Sequence, residues 1–152
     1  SSAATMNKLA QARQLYVDAN LIIYFFERDD DLREKVAQLF DQAVLSGKSI
    51  IVSEIGVAEC LHGAYRLQSE ALEKKYREFF YDLPLISLHP VDGGKLIAAA
   101  AYGASKGLKL VDAVHFAAAV ETGCDMFVTN DRRFRSSDGV TVVQLGDIDL
   151  QS

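Results

Sequence analysis

The sequence predicts one α/β domain, with a parallel sheet of about five strands covered by helices on both faces. Three observations predict it. Apolar runs of four to six residues alternate with stretches of helical periodicity, the pattern of βα units. The 152 residues, 49% hydrophobic and 24% charged, suit a single domain with a real core. No repeat, low-complexity tract or linker interrupts the chain. The opening SSAAT, residues 1–5, reads as a cloning remnant, and residues 6–152 as the domain.

The elements follow in order. LYVDAN (15–20) reads as a short buried strand ending at Asp18, and LIIYFFE after it as a short, largely buried helix stopped by the charges of ERDDD (27–31). In residues 31–47, Leu32, Val36, Leu39, Phe40 and Ala43 recur at helical spacing, with Asp31 placed to cap the start and Gly47 the end. SIIVS (49–53) is a second strand, followed by a helix from about Glu54 to Arg66. Ser69 opens another helix, which stops before Pro84. LISLHPV (85–91) is a third strand. An alanine-rich helix around Ala98 to Ala101 ends near Gly107, and a further helix runs from Asp112 to Gly123. DMFVTN is the fourth strand and VTVVQL (140–145) the fifth.

Four acids fall near the carboxyl ends of these strands, where open α/β sheets bind ligands. Asp18 follows the first strand, Asp131 the fourth, Asp112 opens a helix, and Glu59 lies early in the helix after the second strand. Each has an ordinary reading too: Asp18 in an Asx turn, Glu59 as a solvated helix residue, Asp112 as a helix cap, and Asp131 in turn chemistry beside Asn130. Were they to converge, the cost would be real. Two carboxylates about 4 Å apart repel by about 4 kcal/mol at an effective dielectric near 20, against a folding margin of about 5–15 kcal/mol. Protons or a cation must neutralise such a cluster. Oxygen donors with no nearby His or Cys partner favour Mg²⁺ or Mn²⁺ over zinc.

The motifs YVDANLIIYFFE, VSEIGVAECLHGAYR and LKLVDAVHFAAAVETGCDMFVTNDRRF resemble, in order, the blocks of PIN-domain proteins, and more narrowly of VapC-type toxin ribonucleases from toxin–antitoxin pairs. The likeness spans residues 15 to 145 and implies a three-layer α/β/α PIN-like domain. It places the family acids, catalytic and metal-binding, on Asp18, Glu59, Asp112 and Asp131. Glu54 lies about 140° around the same helix from Glu59, so both cannot face one pocket. Family position, not spacing, selects Glu59. The resemblance further implies one or two Mg²⁺ or Mn²⁺ ions, hydrolysis of RNA phosphodiesters to a 5′-phosphate and a 3′-hydroxyl, a small antitoxin partner and a homodimer. Asn20, Thr129, Asn130, Arg132 and Arg133 are then candidates for holding substrate or orienting ligands.

The formal charge of −5 argues at first against a nucleic-acid partner, but setting the four pocket acids aside leaves −1. Arg132, Arg133, Arg135, Lys106 and Lys109 flank the acids as candidate phosphate contacts. His115, one turn beyond Asp112, is expected to pack or hydrogen-bond; Cys60 and Cys124 are expected to be reduced core thiols. The first residues lack the succession of a secretory signal, no apolar run approaches membrane-spanning length, and a cytoplasmic protein is expected. Two alternatives stand beside the ribonuclease: a PIN-fold module that binds RNA or protein without cleaving, and a haloacid-dehalogenase-like phosphatase. The latter needs a second Asp where this chain has Asn20.

Overall fold

The computed structural model describes residues 3–149. Five parallel strands form one sheet in the order β3-β2-β1-β4-β5: β1 Gln14–Val17, β2 Ser49–Ser53, β3 Ile86–His89, β4 Met126–Thr129 and β5 Thr141–Gln144. The chain builds outward from β1 through β2 to β3, then returns to the other side of β1 as β4. The topological switch point therefore lies between β1 and β4, and ligands of such sheets bind beyond the strand ends there. The backbone N–H of Asp18 donates to the Val128 carbonyl (3.1 Å), so the first residue past β1 is still tied to β4.

Strand alternation divides the core in two. Leu15, Val17, Ile50, Val52, Met126 and Val128 face helices α1 Ala3–Gln11, α2 Ala19–Glu27, α3 Asp31–Leu45, α4 Glu54–Arg66 and α5 Glu70–Arg77. Tyr16, Ile51 and Phe127 face α7 Leu110–Glu121, which packs with α6 Gly93–Lys106; Phe116, Phe134 and Val140 complete this second core. Each fully buried Leu, Ile or Phe is worth about 1.5–3 kcal/mol, and both faces of every central strand are used. Phe134 is buried, which anchors the loop after β4. Cys60 and Cys124 are free and buried, in keeping with core thiols.

The structure refines several boundaries. Asp30, not Asp31, caps α3, its Oδ1 accepting from Arg33 N (3.4 Å). Ser69 caps α5 through Leu72 N (3.1 Å), and the stretch continues as a π-helical turn, Glu78–Asp82. Helix α7 begins at Leu110, so Asp112 sits inside its first turn and is not its cap. Gly107 ends α6 with φ +70°, a conformation open to glycine. Helix α1 has no counterpart among the elements expected from the sequence. Lys48 secures it by donating to the Ala10 carbonyl (3.0 Å) and the Ala12 carbonyl (2.5 Å) at its end.

Candidate active site

Asp18 stands at the tip of β1, where its extended backbone (φ −63°, ψ 142°) caps α2. Oδ1 accepts from the Asn20 N–H (3.5 Å), and Oδ2 accepts from the Thr129 hydroxyl (2.8 Å). The residue is only 6% exposed, and no Lys or Arg reaches it within ion-pair distance among the described residues. Burial pushes its carboxyl above the usual range, against the opposing pull of His115 and Thr129. Thr129, itself fully buried, also accepts the Asp131 N–H at 3.0 Å, so one hydroxyl ties the ends of β1 and β4 together.

Asp112 projects from the first turn of α7, half-buried, and its carboxyl is likewise raised by burial, with Arg133 lowering and Asp131 raising it. Asp131 behaves in the opposite way: Arg133 hydrogen-bonds it and holds it below the usual carboxylate range. The Arg133 guanidinium takes Nη2 to 2.6 Å from Asp131 Oδ2 and to 3.4 Å from Asp112 Oδ2. Gln144 Nε2 donates to the Asp131 carbonyl (3.0 Å) and steadies the loop from β5.

Glu59 does face this region, while Glu54 accepts the Val91 N–H (3.1 Å) elsewhere. The geometry thus separates two acids that spacing alone left open. Glu59 Oε1 takes a hydrogen bond of 2.5 Å from His115 Nε2. His115 Nδ1 lies 2.7 Å from the Tyr16 hydroxyl, which in turn donates to Ser53 Oγ at 3.0 Å. The expectation of acids without a histidine partner is therefore corrected: buried His115 touches one of them directly. Two signals pointed to this chain, His115 standing at i+3 from Asp112 on one helix face and Tyr16 alternating away from Leu15 and Val17.

The remaining predicted residues divide. Asn130 Nδ2 donates to the Tyr24 hydroxyl (3.2 Å). Asn20 is exposed and meets the site through its backbone. Arg132 and Arg133 are both exposed, but only Arg133 folds back onto Asp131 and Asp112, and Lys106 pairs instead with Asp138 (3.4 Å). Lys109, just before α7, lowers the Asp131 carboxyl electrostatically.

Among the described residues, no three His, Cys, Asp or Glu side chains stand together as a ready cation cage. Glu59 is engaged by His115 and Asp131 by Arg133 in this arrangement. The donor chemistry nonetheless suits a hard divalent ion: four carboxylates with oxygen donors and no thiolate among them. Two of the four, Asp112 and Asp131, already share a cation in the Arg133 guanidinium.

This is a doubly covered parallel α/β domain with Asp18 and Asp131 past the strand ends at its switch point and Asp112 linked to Asp131 through Arg133. The chain belongs to the PIN domain family, whose model matches residues 15–140. That membership sets aside the phosphatase alternative. No curated protein matches the chain. Solved structures do resemble it. FitAcB from Neisseria gonorrhoeae superposes with a TM-score of 0.64 at 20% identity, covering 88% of this chain and 99% of its own. VapBC2 from Rickettsia felis, bound to a promoter DNA fragment, gives 0.63 at 14% identity over 86% of this chain and 98% of that one. Mycobacterium tuberculosis VapC20, described as a sarcin–ricin loop cleaving toxin, gives 0.60 at 13% identity over 74% and 86%. Likeness at such identities is likeness of fold.

Proposed function

We propose that the chain is a metal-dependent endoribonuclease acting as the toxin of a toxin–antitoxin pair. The observation that carries this reading is Asp18: a buried carboxylate at the switch point, with its charge unmatched by any Lys or Arg within ion-pair distance among the described residues. A fold that keeps such a charge gains when a cation is supplied. Family membership and the relatives named above, among them a toxin described as cleaving the sarcin–ricin loop, support the same reading.

Asp18 and Asp112 would hold the ion, Mg²⁺ or Mn²⁺, with Glu59 and Asp131 completing the site or binding a second ion through waters. A divalent cation there supplies Lewis acidity, activating water and offsetting charge on the attacked phosphate. The chain's own residues set the geometry. Thr129 fixes the Asp18 carboxylate, and His115 holds Glu59 at the rim. In the hydrolysis a water oxygen bonds to phosphorus and the bond to the 3′-oxygen breaks, leaving a 3′-hydroxyl and a 5′-phosphate. Asn20, Asn130 and Arg132, all exposed, would meet the strand. An antitoxin partner, a homodimer and a cytoplasmic setting belong to this reading.

The test is cleavage of single-stranded RNA with and without Mg²⁺ or Mn²⁺. Asp18→Asn and Asp112→Asn are expected to abolish cleavage while far-ultraviolet circular dichroism stays unchanged. Cleavage at the parent rate by either variant would overturn the assignment.

One observation favours a second reading, a PIN module that binds without cleaving. Arg133 already neutralises two of the acids, as a permanent replacement for a metal would. Metal-independent RNA binding, with no cleavage at any Mg²⁺ or Mn²⁺ concentration, decides for it.

A further inference from the structure

A groove of about 460 Å³ runs along the edge strand β5, lined among others by Lys8, Arg132, Arg135, Ser136, Thr141 and Gln144. It shares a wall with the carboxylate site, because Gln144 lines it and also donates to the Asp131 carbonyl (3.0 Å). Three cations face it against one acid, Asp147, in a chain whose overall charge is −5. Their states differ. Arg135 is committed in part to the loop, its Nη1 donating to the Arg132 carbonyl and to the Phe134 carbonyl (3.2 Å). The Lys8 and Arg132 side chains have neither an ion pair nor a hydrogen bond among the described residues.

Two unmatched cations, a third pinned beside them, and the hydroxyl and amide groups of Ser136, Thr141 and Gln144 make a surface that recognises phosphate and sugar. Among the described residues the one aromatic lining the groove, Phe134, is buried in the core and offers no face for base stacking. We propose that this groove takes the backbone phosphates of the RNA strand flanking the scissile bond, with Lys8 and Arg132 as direct contacts. The inference rests on the ribonuclease reading and adds to it a strand path across β5. Because the contacts fall on the backbone, the groove holds the strand without choosing its sequence.

Anisotropy of a labelled single-stranded RNA, with divalent metal chelated to prevent cleavage, tests this over about 50–200 mM salt. The slope of log affinity against log salt is expected to become shallower by about 0.7 for each phosphate that a removed cation no longer neutralises, in Lys8→Ala and in Arg132→Ala alike. Lys74→Ala, on α5 and paired with Glu78, makes the same charge change outside the groove and is expected to keep the parent slope. Parent slopes in both groove variants, or an equal change in Lys74→Ala, would overturn the proposal. Cleavage by the parent chain with Mg²⁺ or Mn²⁺ is measured alongside. Cleavage with unchanged slopes sinks the groove alone, and changed slopes without cleavage support the groove and sink the ribonuclease. Absence of both binding and cleavage sinks both.

Discussion

The Arg133 guanidinium spans two carboxylates: Nε lies 3.0 Å from Asp131 Oδ1, and Nη2 lies 2.6 Å from Asp131 Oδ2 and 3.4 Å from Asp112 Oδ2. A divalent ion entering between the same acids must displace it, so Arg133 and metal compete. Arg133→Gln keeps much of the side-chain length and removes the charge. Exposed ion pairs are weak, which sets the expected gain in Mg²⁺ or Mn²⁺ affinity at about two- to fivefold by isothermal titration calorimetry. Unchanged or weaker affinity would show that the guanidinium does not stand in the ion's place.

Asp18 carries a testable dependence on pH. Its folded carboxyl is raised by burial, so the cost of its charge is absent below the unfolded value of about 3.9. That cost grows as pH rises from the unfolded value to the raised folded value and is complete above the latter. Asp18→Asn is therefore expected to melt higher than the parent at pH 7, by about 2–4 °C for each 1 kcal/mol of relieved charge burial, with the gap closing in acid. Added Mg²⁺ should raise the parent's melting temperature and leave the variant's in place. Equal melting temperatures for parent and variant at neutral pH without metal would mean the buried charge is balanced after all.

Much of this site could be read in the sequence because strand ends and helix starts are local signals. SIIVS and the helix from Glu54 to Arg66 fall at the bounds expected of them, and Asp18 and Asp131 follow their strands. What stayed hidden depends on distant contacts. Helix α1 buries only Leu9 along its length, and its C-terminal carbonyls are bound by Lys48 from beyond α3, so its own residues carry little pattern. The start of helix α7 at Leu110, before Asp112, was hidden because Leu110 and Val111 are exposed, and apolar residues in water blur the phase of a helix. Side-chain direction was equally invisible. Arg132 and Arg133 are neighbours of one type, yet one points to solvent and the other folds back onto two acids.

Gly56 controls how closely α4 approaches the histidine. A Cβ there would stand 2.9 Å from Val52 Cγ1, 3.5 Å from His115 Cε1 and 3.8 Å from Ala19 Cβ. Alanine improves helix propensity by about 1 kcal/mol, but overpacking a close contact costs about 1–3 kcal/mol. The packing effect is expected to win, because Val52 belongs to a central strand and has little room to move. Gly56→Ala should lower the stability measured by urea unfolding and displace the His115 ring resonances in NMR spectra. A gain in stability would mean that the strand yields easily.

Thr129 acts through the acids it holds. Its hydroxyl donates to Asp18 Oδ2 and accepts the Asp131 N–H, and it is wholly buried. Valine preserves the shape and removes both bonds, leaving a polar N–H without its partner at a cost of about 1–3 kcal/mol. The hydroxyl also lowers the Asp18 carboxyl, so its loss lets burial push that carboxyl further up. If ionised Asp18 is what binds the ion, the acid limb of the cleavage profile must move to higher pH in Thr129→Val. Thr129→Ser, which keeps the hydroxyl and loses a methyl, should return the limb to its parent position even where stability stays low. A structural role alone would lower stability in both variants and leave the limb where it was, so the serine comparison separates positioning from packing.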